Sequence, residues 1–132
     1  MIVITGANGA FGRLVVERLL TLRPANELAV SVRDPSNSPF TARGISVRHG
    51  DFDQPETLAA AFAGADTVLI NGTNYGTASA DRARQQAAAL RAALDAGATR
   101  IVVTSWVDLD NCPLALARDF PCLLYTSDAA DE

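Results

Sequence analysis

The sequence runs to 132 residues, 48% of them apolar, with a formal net charge of −4. That length suits one domain with a real core, and no apolar run is long enough to cross a membrane. A mildly acidic chain without a basic stripe argues against nucleic acid as its main partner; two cysteines and one histidine argue against a disulfide framework, a metal site and Ser-His-Asp hydrolysis.

A strand is predicted over Ile2 to Thr5. It starts at once, which leaves no room for a signal peptide and makes the cytoplasm the expected location. It runs into Thr5-Gly6-Ala7-Asn8-Gly9-Ala10-Phe11-Gly12, where each glycine follows the last by three positions. A helix is predicted from Ala10 to Leu22, with Phe11, Leu14, Val15, Leu19 and Leu22 on one apolar face. Pro24 and Asn26 end it. The second strand, Leu28 to Val32, stops at Arg33-Asp34-Pro35, where proline bars continuation. Ser36 to Gly44 is expected to be a loop or a short helix.

Ile45 to Val47 reads as a third strand that opens into Gly50-Asp51-Phe52-Asp53. A short helix begins at Pro55 and reaches Phe62. Asp66 to Ile70 is the fourth strand, and a polar loop follows from Asn71 to Ser79. A long alanine-rich helix covers Ala80 to Ala96 and closes at Gly97. Ile101 to Thr104 is the fifth strand, with Ser105 just beyond it. Five alternations of strand and helix in short units argue for an α/β fold, a doubly wound parallel sheet with helices on both faces. Right-handed crossovers give the expected order 3-2-1-4-5, truncated after the fifth strand.

The glycine loop carries the chemistry. A strand, three spaced glycines and a helix start bring backbone close to a pyrophosphate. Gly6 permits the turn, Gly9 leaves room for phosphates, and Gly12 permits close packing of the helix. The first helical N–H groups and the positive dipole end then face the anion through Ala7, Asn8, Ala10 and Phe11. The end of the second strand should meet the adenosine ribose, where a carboxylate favours NAD and an arginine accommodates the 2′-phosphate of NADP. Arg33 comes first and Asp34 second, so NADP(H) is preferred and NAD(H) stays open.

Asp51 and Phe52 are expected at the adenine, or else Asp51 opens a helix-entry turn with Asp53 as its cap. Asn71, Gly72 and Thr73 should pass over the phosphates and nicotinamide ribose at the switch point. Thr73, Asn74 and Tyr75 could line the nicotinamide end. Ser105 could bond the nicotinamide ribose or a substrate carbonyl, or simply its own backbone. Ser105 and Tyr75 are the candidates for catalysis. Arg82 and Arg84 are expected to be solvated at the mouth of the site.

The stretch from Cys122 to Glu132 resembles the in-frame translation of a transposon-based sequencing adapter. The expectation is a native domain over residues 1–121, cut off near Pro121, and a non-native or disordered tail over 122–132.

The glycine loop, Val32-Arg33-Asp34-Pro35, Gly50-Asp51-Phe52 and Ile101 to Ser105 together resemble the atypical short-chain dehydrogenase/reductases. Within that group the NmrA-like proteins and their NAD(P)H:quinone oxidoreductase branch are most similar. The resemblance implies an incomplete NAD(P)-binding Rossmann domain that passes hydride from NADPH to a quinone or similar small acceptor. It maps Gly6, Gly9 and Gly12 to the phosphate loop, Arg33 to the 2′-phosphate contact and Ser105 to the serine after the fifth strand. The chain departs from the common Tyr-x-x-x-Lys pair, since it contains no lysine. The alternative that the resemblance also implies is an NADP-sensing regulator without turnover.

Overall fold

The structure is a computed structural model that describes residues 1–72 and 79–104. Strand β1 (Ile2–Thr5) leads to helix α1 (Ala10–Leu20), then β2 (Leu28–Val32) and β3 (Ser46–His49). Helix α2 (Leu58–Phe62) precedes β4 (Thr67–Ile70), and α3 (Ser79–Asp95) precedes β5 (Arg100–Val103). Short 3-10 turns at Ala25–Glu27, Pro35–Asn37, Thr41–Arg43 and Pro55–Thr57 fill the connections.

The five strands form one parallel sheet in the order β3-β2-β1-β4-β5, as the alternation predicted. Ile2 stands opposite Leu28 on one side of β1 and opposite Thr67 on the other. Alternate side chains of each strand enter opposite faces. Val3, Ala29, Val68 and Ile70 pack with Leu58, Ala61 and Phe62 of α2 and with Ala89 and Ala93 of α3. Ile4, Leu28, Val30 and Val32 pack on the other face with Val16 of α1, Phe40 and Ile45. Two apolar layers therefore sandwich the sheet, as a doubly wound fold requires.

Helix α3 ends as its glycine suggested. Ala98 N–H donates to Ala93 O at 3.1 Å and Gly97 N–H to Leu94 O at 2.9 Å, the paired bonds of a Schellman stop.

The buried face of α1 differs from the expected one. Gly12 and Val16 are buried and Val15, Leu19 and Leu20 pack beside them, whereas Phe11, Leu14 and Leu22 are exposed. The apolar residues Phe11, Leu14, Val15, Val16, Leu19 and Leu20 of that helix allow two overlapping stripes. The close contact that Gly12 makes turns the Gly12–Val16 stripe inward and leaves Phe11 and Leu14 outside. Among the described residues, no helix is long and apolar enough to cross a membrane.

Candidate functional site

All five strands are parallel, so their carboxyl ends lie along one edge. A cavity of about 510 Å³ opens there, at the point where the connections turn in opposite directions from β1. Its wall contains Gly6, Asn8 and Gly9 from the first turn, Arg33 and Asp34 from the end of β2, Asp51, Phe52 and Asp53 after β3, and Asn71 and Gly72 after β4.

The first turn is held tightly. Gly6 has φ +61°, a left-handed conformation that a side chain would strain. Its N–H donates to Ser31 O at 3.2 Å, and Gly9 N–H donates back to Gly6 O at 3.1 Å. A Cβ on Gly12 would lie 2.3 Å from Gly6 O and 2.7 Å from Ala7 Cα, so the helix start is pressed against the turn itself. Gly9 caps α1 without a side-chain bond, and no acidic residue stands in the first turn. The N–H groups of Ala10, Phe11 and Gly12 thus lack intrahelical acceptors and keep the positive end of the helix dipole uncompensated. Ala7 itself is fully buried in the core on the α1 side, and Ala10, Phe11 and Gly12 do not line the cavity.

At the end of β2, Asp34 and Arg33 take separate roles. Asp34 accepts hydrogen bonds from Ser36 N at 3.0 Å and Asn37 Nδ2 at 2.9 Å, and it also holds the Ser36 hydroxyl. Those bonds, led by the Ser36 hydroxyl, lower its pKa below the usual carboxylate value. Both carboxylate oxygens are therefore engaged in a local turn. Arg33 lines the cavity, is exposed, and makes no hydrogen bond or ion pair among the described residues.

After β3 the expected cap does not form. The 3-10 turn at Pro55–Thr57 is preceded by Gln54, with no side-chain cap. Asp51 Oδ1 instead accepts Asp53 N–H at 3.0 Å. Asp53 Oδ1 reaches across to α3, where it accepts from Gln85 Nε2 at 2.8 Å and from Arg84 at 3.0 Å. The Gln85 bond first and the Arg84 bond second lower the Asp53 pKa, and Asp53 in turn raises that of Arg84. Arg84 is thus ion-paired with Asp53 and with Asp81, and Arg82 is buried, which corrects the expectation that both are merely solvated. A helix one turn into its length can reach a loop 30 residues earlier, which no local pattern in the sequence displays.

The turn after β4 is bolted to both neighbours. Asn71 N–H donates to Thr5 Oγ1 at 2.8 Å, and Gly72 N–H donates to Thr104 Oγ1 at 2.9 Å. The Thr104 hydroxyl donates to Asn71 Oδ1 at 3.3 Å. Thr73, Asn74, Tyr75 and Ser105 lie outside the described residues, as does the stretch 122–132.

Several lining residues were not predicted. Ser31, Gly50 and Gln85 join the wall, and so does Thr5. A Cβ on Gly50 would lie 2.1 Å from Ser31 Oγ, so this glycine is needed for space. The buried atoms Asn8 Oδ1, Ser31 Oγ and Gln85 Oε1 have no hydrogen-bond partner in the described structure. Three unsatisfied polar atoms among the residues that line one cavity suit a polar ligand that supplies the missing partners. The unmet acceptors Asn8 Oδ1 and Gln85 Oε1 need donors, which the hydroxyls of a ribose and the amine of a base carry.

The chain is similar to known proteins in sequence and in fold. A family model described as NAD(P)H-binding matches residues 6–125. The chain is 36% identical over 121 residues to quinone oxidoreductase 2 of Escherichia coli strain K12, covering 90% of this chain and 41% of that protein. It is 32% identical over 84 residues to an NmrA-like family domain-containing oxidoreductase of Aspergillus flavus, covering 63% and 27% respectively. The crystal structure of Citrobacter sp. triphenylmethane reductase complexed with NADP(H) superposes with a TM-score of 0.90 at 32% identity, over 99% of this chain and 46% of that one. The chain spans less than half the length of each of these relatives.

Proposed function

Because the chain belongs to the NAD(P)H-binding family, we propose that the cavity at the carboxyl edge of its sheet holds NADPH for hydride transfer to a quinone or similar small acceptor. The observation that carries this reading is the convergence of the glycine turn, Arg33 and the Asn71-Gly72 turn on one cavity. The glycine turn ahead of α1, where Gly6, Asn8 and Gly9 line the cavity at the positive end of the helix, receives the pyrophosphate. Arg33 receives the 2′-phosphate, because its planar guanidinium suits a phosphate and no hydrogen bond or ion pair holds it among the described residues. Asp34 is bonded within its own turn and so is less available to a ribose, and with Arg33 open to the cavity this favours NADPH over NADH. The NADP(H) complex of the triphenylmethane reductase supports the same choice by similarity.

The bound reduced nicotinamide supplies the hydride. This chain positions it and excludes water, a contribution that needs no lysine acid. The quinone acceptor is inferred from the likeness to quinone oxidoreductase 2. The test is consumption of NADPH by the intact gene product over a panel of simple quinones. Turnover with NADPH well above that with NADH is the expected result. Tight NADPH binding without turnover on any quinone would replace the reductase with a dinucleotide sensor.

A further inference from the structure

Gln85 is the lining residue that the phosphate loop and the β2 terminus do not explain. It sits in the second turn of α3, 7% exposed, on the same wall as Asp51, Phe52 and Asp53. Its amide cannot choose its orientation freely. Asp53 Oδ1 takes the Nε2 hydrogen at 2.8 Å, and an ionised carboxylate only accepts. The nitrogen is therefore fixed on the Asp53 side, and Oε1 is left as a buried acceptor with no donor among the described residues. An unmet buried acceptor is costly, so a ligand that brings a donor to it gains what the free protein lacks. The terminal torsion of glutamine is soft, and a small rotation offers Oε1 to the cavity while Nε2 keeps its bond.

We infer that Gln85, oriented by Asp53, reads the exocyclic amine of the adenine ring and so selects adenine over 6-oxo purines. This rests on the reading of the cavity as the dinucleotide site. Asp53, which holds Gln85, follows β3, and the strand order puts the end of β2 with Arg33 between it and the glycine turn after β1; the base of the nucleotide lies on that side once the pyrophosphate is at the glycine turn. The adenine amine donates to Oε1. A 6-oxo purine presents a second acceptor at that position, while Asp53 holds the amide with its nitrogen on the other side and Oε1 toward the base. Two acceptors then face each other, a mismatch of the kind that polar sites reject strongly.

The experiment compares NADPH with reduced nicotinamide hypoxanthine dinucleotide phosphate, which differs at that group. Affinities are read by nicotinamide fluorescence on the full chain, for the unaltered protein and for Gln85→Met. The unaltered protein is expected to bind NADPH at least about tenfold tighter. Gln85→Met should narrow that ratio to about twofold, by weakening NADPH and by relieving the clash of acceptors, so that the hypoxanthine form binds at least as well as before and reports an intact site. A ratio unchanged in Gln85→Met overturns the inference and assigns the base to Asp51. An equal loss of both nucleotides overturns it as well, since Gln85 would then be structural. Asp53→Asn gives a second check. An asparagine can accept or donate, so Gln85 regains its freedom to flip and the ratio should fall with little change in the sum of the two affinities. Failure of the unaltered protein to bind either nucleotide would instead overturn the assignment of the cavity itself.

Discussion

Gly12 shows how one missing side chain shapes the site. The atom its Cβ would strike, Gly6 O, belongs to the backbone of a turn that also accepts the Gly9 N–H. Neither can retreat without opening the turn. Gly12→Ala is expected to cost about 1–3 kcal/mol, a fall in Tm of several degrees measured by thermal unfolding, together with loss of dinucleotide binding. Arg33 makes the opposite case, since it is exposed and holds no part of the fold in place. Arg33→Ala should leave Tm within a degree or so, weaken NADPH by about 10- to 100-fold in line with a charge-assisted bond of roughly 1.5–3 kcal/mol, and change NADH little. Parallel titrations with the two nucleotides measure this; equal losses would remove the phosphate assignment. Both residues were legible in the sequence because each sits at a fixed offset from a strand end. Gly50 and Ser31 were not, because they are 19 residues apart and the space they share exists only once β2 and β3 are paired.

At the scale of elements, the Asp53 clamp joins the loop after β3 to α3. Its pH dependence follows from the lowered pKa of Asp53. The folded protein holds this proton less tightly than the unfolded chain, so the clamp stabilises fully above the ordinary aspartate value of 3.8. That contribution is lost as pH falls below it toward the folded pKa. Thermal melts between pH 3 and 7 should show Asp53→Asn less stable than the unaltered protein at neutral pH, with the gap closing at the acid end. Helix α1 offers a second comparison. Val16 is fully buried and Leu14 is 69% exposed. Val16→Ala should cost about 2 kcal/mol, and Leu14→Ala within about 0.5 kcal/mol of nothing, by denaturant unfolding. Strand and helix positions were readable from apolar period and from Pro and Gly stops. The orientation of α1 was not, since its apolar residues fit two stripes and only the Gly12 contact decides between them. The Asp53–Gln85 bond was equally hidden, because its partners belong to elements whose approach depends on the whole sheet.

For the molecule as a whole, the sheet order places β1 at the centre with strands on either side, while β3 lies at an edge and β5 ends the described sheet. Amide exchange should therefore be slowest at Val3 and Ile4, which are fully buried, and faster by orders of magnitude along β3. Uniform protection across all five strands would contradict this. The same order has a consequence for synthesis. Among the five strands, β1 is the first to leave the ribosome, yet Ile2 has its partners at Leu28 and Thr67. No hairpin can shield it in the meantime, because its neighbours are parallel and each needs a crossover first. At about 5–20 residues per second, Ile2-Val3-Ile4 waits for several seconds as an unpaired apolar segment before β4 arrives. The strand that becomes the best protected in the finished sheet is thus the one most in need of a chaperone while the chain is being made.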